Sequence, residues 1–309
     1  MRTPVHDPLL ERATLKERGR IFLSRCSGFE GALTRLVVRA EIADRINSDT
    51  ADPEISPRAL ADFFLTMLHT PPDKAYGLLA QPVPAVDAKE HSGRVWFDAI
   101  EGLTNHSIVQ SVAAQARRLA PPDKSRWEHA ADLGAGTGEL GKLLLDDGSG
   151  GRIADQVTLV DRTPELLGVA ARRYGDAMNY VRGDVLQLPF ADESFDLMTS
   201  GGLVHSLGSA VQNAYFGEVS RLLKPGGVYL DGDQHEGPRV TRNPGRSRLS
   251  RLIMWEASGL EIMGDPLHGV DKESYFSEFG LAFSEQILEH PGVEPITLRI
   301  LQKPTELWV

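Results

Sequence analysis

A carboxylate two residues before three alternating glycines, Asp132-Leu-Gly134-Ala135-Gly136-Thr-Gly138, can hold a nucleotide-like ligand. Glycine lets the backbone turn sharply and lets a ligand approach with no β-carbon in between. The amphipathic helix pattern that follows supplies unpaired N–H groups and the positive end of a helix dipole. Asp161 stands about twenty residues on, where an acid can bind both ribose hydroxyls. Gly183-Asp184-Val185 puts a carboxylate able to accept from an exocyclic amine beside an apolar wall and a backbone N–H for a base edge. Ser200-Gly201 and His205 come next, then His235 and Glu236 after a further apolar run. Where the chemistry requires proton removal, an imidazole near neutrality is the first choice. His205, after the fourth strand, is the first candidate for that role, with His235 and Glu236 as candidate substrate-contacting residues of a loop. Each residue taken singly has a plainer alternative: a tight turn for a glycine, a helix N-cap or loop acid for Asp161 or Asp184, and a packed or capping role for His205.

Such residues meet only if the strands that carry them end side by side. From Trp127 the pattern alternates between strands near 129–134, 155–161, 178–183, 194–199 and 227–233 and helices near 138–146, 164–174 and 207–223. This predicts an α/β fold, a Rossmann-like doubly wound, mostly parallel sheet whose ligand lies beyond the carboxyl ends of the strands. The runs 282–289 and 295–301, around Pro291-Gly292, read as a final antiparallel hairpin at the sheet edge. Residues 234–280 read as an insertion in a domain spanning 127–309. Residues 1–126 read as a mostly helical region, with helices near 29–46, 58–69 and 93–119 and a proline-bearing loop over 77–87. Asp98, Glu101, Asn105 and His106 share helical spacing on the last of these helices. They form either an exposed polar face or an edge that reaches the ligand.

Composition narrows the partners. A formal net charge of −10 over 309 residues argues against a general nucleic-acid binder. No apolar run reaches membrane-spanning length, and the N-terminus lacks the apolar core of a signal peptide. Cys26 is the single cysteine, which excludes an internal disulfide and a cysteine-built metal site. The expectation is a cytoplasmic protein without a metal, acting on a small molecule.

Two registers of the glycines compete. Gly136, Gly138 and Gly141 satisfy the G-x-G-x-x-G dinucleotide pattern, which alone is weak evidence. The register Asp132-Leu-Gly134-x-Gly136-x-Gly138 resembles the first motif of class I S-adenosylmethionine (SAM)-dependent methyltransferases. Four further pieces match that family in order: Leu159-Val-Asp161, Gly183-Asp184-Val185 with Leu188-Pro-Phe190, Phe195-Asp196, and Leu223-Lys-Pro-Gly-Gly227. The resemblance covers roughly residues 127–233 and implies a role for each residue. Asp132, Gly134, Ala135, Gly136 and Gly138 would close around the methionine and ribose of SAM. Asp161 would take the ribose hydroxyls, Arg162 would lie near the adenine, and Gly183, Asp184 and Val185 would hold the base. Backbone carbonyls near Ser200 and Gly201 would face the methionyl amine.

The resemblance implies methyl transfer from SAM, leaving S-adenosylhomocysteine (SAH), to a small aromatic, heteroaromatic or amine acceptor, as in specialised metabolism. Nitrogen, oxygen and carbon acceptors all stay open. The histidine-rich catalytic segment of natural-product O-methyltransferases does not appear, and the second-half motifs look more like the ubiquinone and menaquinone C-methyltransferase relatives. An N-terminal helical region ahead of this fold implies substrate selection or homodimerisation. The arginines from Arg239 to Arg251 read as a solvated helix face or as a clamp for an anionic substrate group. The rivals are an NAD(P)-dependent oxidoreductase, which would carry a hydride-transfer signature that is not seen, and a SAM-binding protein without turnover.

Overall fold

The computed structural model describes residues 77–78, 80–84, 91–98, 106–122, 125–146, 151–204, 207, 209–234, 267, 270–289 and 295–305. The expected helices near 29–46 and 58–69 lie outside the described residues, as does the stretch from Arg239 to Arg251. Contacts divide the chain into one unit of Met1–Trp96 with Gly237–Met263 and another of Phe97–Glu236 with Gly264–Val309.

In the first unit, strand β1 (Pro82–Pro84) pairs antiparallel with β2 (His91–Val95). The N–H of Trp96 donates to the Gln81 carbonyl at 3.1 Å. This ribbon corrects two expectations: the loop over 77–87 contains a strand, and the helix expected from Gly93 does not start there. Ser92 and Gly93 are weak helix formers, and a nearby extended partner wins them for a strand. The two prolines lack N–H donors, which keeps β1 short.

In the second unit the chain alternates as the sequence predicts. Helix α1 (His106–Arg118) precedes β3 (Trp127–Leu133), followed by α2 (Glu139–Leu145), β4 (Ala154–Asp161), α3 (Pro164–Tyr174) and β5 (Asn179–Arg182). Then come β6 (Phe195–Gly201), α4 (Ser209–Leu222), β7 (Leu223–Gln234), α5 (Lys272–Ser277), β8 (Ala282–Leu288) and β9 (Ile296–Gln302). The seven strands run in the order β5-β4-β3-β6-β7-β9-β8. β3 to β7 are parallel, and β9 and β8 close one side as an antiparallel pair.

Two faces of the sheet are buried, and residue alternation assigns them. Ala130, Leu197, Val228 and Leu230 pack with α1, α2 and α3 on one face. Ala131, Leu133, Met198 and Tyr229 pack with α4 and α5 on the other. Strand order reverses between β3 and β6, so the carboxyl ends of these two strands meet, with Asp132 in register with Thr199. A doubly wound sheet places its ligand at this reversal.

Candidate functional site

The turn after β3 is built from left-handed backbone. Gly134 and Gly136 have φ of +68° and +56°, a region that a side chain makes costly. Their open faces seat neighbouring side chains. A β-carbon on Gly134 would lie 2.9 Å from Leu203, and one on Gly136 would lie 2.2 Å from the Phe97 ring. The N–H groups of Gly134 and Ala135 both donate to the Val160 carbonyl, at 2.9 and 3.0 Å, which fixes the turn to β4.

Asp132 sits under this turn at 2 % exposure. Its Oδ1 accepts from the Thr199 hydroxyl at 3.2 Å, while Oδ2 has no hydrogen-bond partner. Burial pushes its pKa up to about 7, opposed by the Thr199 hydroxyl and the Gly141 backbone N–H. Val109, Gly134, Ala135, Leu140 and Gly201 line a small cavity at this carboxylate. A buried carboxylate oxygen without a donor calls for one, and a cation satisfies it best.

Asp161, at the end of β4, is also buried. Oδ2 accepts from the Gly136 N–H at 2.9 Å and Oδ1 from the Thr163 N–H at 2.8 Å. One acid therefore shapes the glycine turn and caps the approach to α3. A carboxylate has about four acceptor positions, so both oxygens retain capacity for further hydroxyls. The Asp161 carbonyl accepts from the Gly183 N–H at 3.1 Å, which brings the next loop alongside. In that loop Asp184 is exposed, Val185 is half-buried, and Asp184 Oδ1 accepts from the Leu186 N–H at 3.0 Å. Arg162 is exposed.

Helix α4 holds the loop from below. Glu218 accepts from the Leu188 N–H at 2.7 Å, and Arg221 donates to the Phe190 carbonyl at 2.8 Å and the Leu188 carbonyl at 3.3 Å. Arg221 also pairs with Glu218 and lowers its pKa. Neither residue was singled out from sequence. The Leu188-Pro-Phe190 motif marked the loop but not its support.

Ser200 is fully buried at the end of β6, and its side chain faces the sheet interior. Its hydroxyl donates to Asp231 at 2.7 Å and lies 2.7 Å from the Tyr229 hydroxyl, which is 2.8 Å from that of Tyr215. Asp231 pairs with Arg299 of β9 at 2.5 Å. Burial pushes the Asp231 carboxyl up, against the pull of the Arg299 guanidinium. The expected strand over 227–233 contains both Asp231 and Asp233. β7 runs on to Gln234, so both acids lie within the strand, buried. Asp196, from the Phe195-Asp196 motif, is structural: its two oxygens accept the N–H groups of Glu128 and His129, each at 2.8 Å.

His205, His235 and Glu236 lie outside the described residues, as do Glu101 and Asn105. Asp98 is described, and it departs from the exposed-face alternative. It is buried and accepts from Thr137 of the glycine turn at 2.7 Å and from Arg173 of α3 at 2.9 Å. No spacing in the sequence links Asp98 to Arg173.

With this geometry established, similarity to known proteins separates the two glycine registers. Residues 131–230 match the family described as "Methyltransferase domain". The chain is 34 % identical over 197 residues to the ubiquinone/menaquinone biosynthesis C-methyltransferase UbiE of Brucella anthropi, a match covering 59 % of this chain and 68 % of that protein. It is also 34 % identical over 114 residues to the UbiE of Paracoccus denitrificans, covering 35 % of this chain and 42 % of that one. The chain thus spans between two fifths and about two thirds of the length of these relatives. Among solved structures, the CurJ carbon methyltransferase shares the fold at TM-score 0.55 and 16 % identity, covering 96 % of this chain and 81 % of its own. The acid-first register, the ordered motifs along the strand ends and these matches agree: the chain belongs to the class I S-adenosylmethionine-dependent methyltransferases.

Proposed function

We propose that this protein transfers the methyl group of SAM to a small-molecule acceptor. One observation carries the reading: Asp132 Oδ2, buried and without a donor, lies at a cavity under the glycine turn. An α-ammonium group supplies the donor and the charge that this carboxylate lacks. The remaining residues fit the rest of the cofactor. Asp161 has acceptor capacity for ribose hydroxyls while its present bonds hold Gly136 in place. Asp184 and Val185 offer a carboxylate and an apolar wall to an adenine, on a loop clamped by Glu218 and Arg221. The bound cofactor supplies a methyl group activated on a sulfonium.

What the chain must add is alignment and exclusion of water. The cradle at the strand ends fixes the donor, and residues of the loops after β6 and β7 face the acceptor. His205 is the residue proposed to take a proton from the acceptor where one must leave, with His235 and Glu236 contacting the substrate. Residues 1–126 are proposed to select that substrate. The acceptor is an aromatic, heteroaromatic or amine compound. The C-methyltransferase names of the relatives favour a carbon of an electron-rich ring.

The test is transfer of isotopically labelled methyl from SAM into a panel of quinols, phenols, heteroaromatics and amines, alongside thermal-shift titration with SAM, SAH and NAD. Stabilisation by SAM and SAH, with label in a panel member, is the expected outcome. Stabilisation by NAD alone overturns the proposal. Binding of SAM with no label in any class favours a SAM-binding protein without turnover.

A further inference from the structure

Phe97 and Asp98, ahead of α1 in sequence, reach the glycine turn, and the family motifs do not account for them. Asp98 is 9 % exposed. Its Oδ1 accepts from the Thr137 hydroxyl at 2.7 Å and from Arg173 Nη1 at 2.9 Å, and its Oδ2 meets Arg173 Nη2. Thr137 stands between the second and third glycines and is fully buried, so its side chain serves this contact rather than solvent. Arg173 belongs to α3 and lies 3.9 Å from Glu139 at the start of α2. Next to Asp98, the Phe97 ring covers the face of Gly136 at which a β-carbon would stand. Gly136 is also the residue whose N–H is held by Asp161.

The attachment is strong for its size. A carboxylate paired with a guanidinium through two hydrogen bonds is charge-assisted and directional, and largely buried bonds of this kind are screened less than surface pairs. It joins three elements that are far apart in sequence: the segment before α1, the turn after β3 and the end of α3. The Phe97 ring lies against Gly136 of the glycine turn.

We propose that Asp98 is a positioning residue for the cofactor: tied to Thr137 and Arg173, it holds the Phe97 ring closed on Gly136, and this closure slows release of SAM and SAH. The inference rests on the reading of the glycine turn as a SAM cradle. It assigns Phe97 to cofactor retention and gives Thr137 a role as the keeper of the closure.

The experiment uses the full chain. Protein loaded with tritiated SAM is chased with excess SAH, and the unfolding temperature is recorded without ligand. Asp98→Asn and Phe97→Ala are each expected to release SAM about tenfold faster. Thr137→Val, which keeps shape and loses the hydroxyl, is expected to release it about threefold faster. The double variant Asp98→Asn/Phe97→Ala should release no faster than the quicker single, because both act through one ring. A purely structural role for Asp98 would lower the unfolding temperature and leave release unchanged. Phe97→Leu supplies the same readout where Asp98→Asn does not fold. Release that is unchanged or slower in both Phe97 variants overturns the proposal. Failure of the unaltered chain to bind SAM overturns instead the cradle reading beneath it.

Discussion

Asp132 is the residue on which the cofactor reading turns, and its burial makes the reading testable by pH. In the unliganded protein its pKa of about 7 stands above the ordinary carboxylate value of 3.8. Between these values the folded protein holds a proton that the unfolded chain has lost. Stability of the unliganded protein therefore falls as pH rises from about 4 to about 7, by at most about 1.4 kcal/mol per pH unit. An Asp132→Asn variant should flatten that slope in urea unfolding curves. Binding an ammonium group reverses the preference and expels the proton. SAM affinity is expected to climb with pH up to about 7 and then level, with protons released below that point. Calorimetry in two buffers of unlike ionisation heat reads this directly, and pH-independent binding without proton release would refute the assignment. Asp132→Asn itself should cost about ten- to a hundredfold in SAM affinity, the worth of a charged hydrogen bond. Asp161→Ala should cost at least as much, since it removes both the ribose acceptor and the partner of the Gly136 N–H. Retention of full affinity there would sink the ribose assignment. Asp132, Asp161 and the glycines were legible because a ligand-binding turn needs particular residue types at fixed offsets. Asp98 was not, because a buried carboxylate and an exposed one have the same spacing until the partner, Arg173, is known.

At the scale of elements, strands and helices after Trp127 were readable from period and punctuation, and most of their bounds agree within a few residues. Two signals misled. The periodicity that extended a helix back to Gly93 missed a ribbon whose partner strand is only three residues long. The start of β7 was placed too late because Lys224-Pro-Gly-Gly227 reads as a turn, whereas the strand begins at Leu223 and carries Asp231 to Arg299 of β9. The cross-strand pair predicts a large effect of a single change. Arg299→Met leaves Asp231 buried without its counter-charge and should destabilise the protein by about 3–5 kcal/mol. Asp231 escapes part of that penalty by taking up a proton, so the deficit in urea unfolding should shrink from pH 8 towards pH 5. A deficit that does not change with pH would contradict this account. The clamp from α4 predicts a functional effect instead. Arg221→Met releases the carbonyls of Leu188 and Phe190 and should weaken SAM binding several-fold, with an unfolding temperature lower by about 2–4 °C. An unchanged dissociation constant would detach that loop from the adenine.

For the whole molecule, the chain divides into two units by its contacts, and the family match bears on residues 131–230. The acceptor was not legible, because its contacts fall on loops and helices with no fixed offsets, unlike the turn that holds the cofactor. The proposal that residues 1–126 select the acceptor predicts a separation of functions. A chain beginning at Phe97 should keep SAM affinity within a few-fold and lose methyl transfer; retained transfer with unchanged acceptor preference would contradict the assignment. The place of β9 in the sheet has a consequence for how the protein is made. Among the described strands β9 is the last to leave the ribosome, yet it fills an inner position between β7 and β8 and carries Arg299 to Asp231. Until residues 296–302 have emerged, β7 is an open edge and Asp231 lacks its counter-charge. The nascent polypeptide cannot complete its sheet until β9 has emerged, and a chain truncated before β9 is expected to lose the fold of the sheet rather than a terminal hairpin.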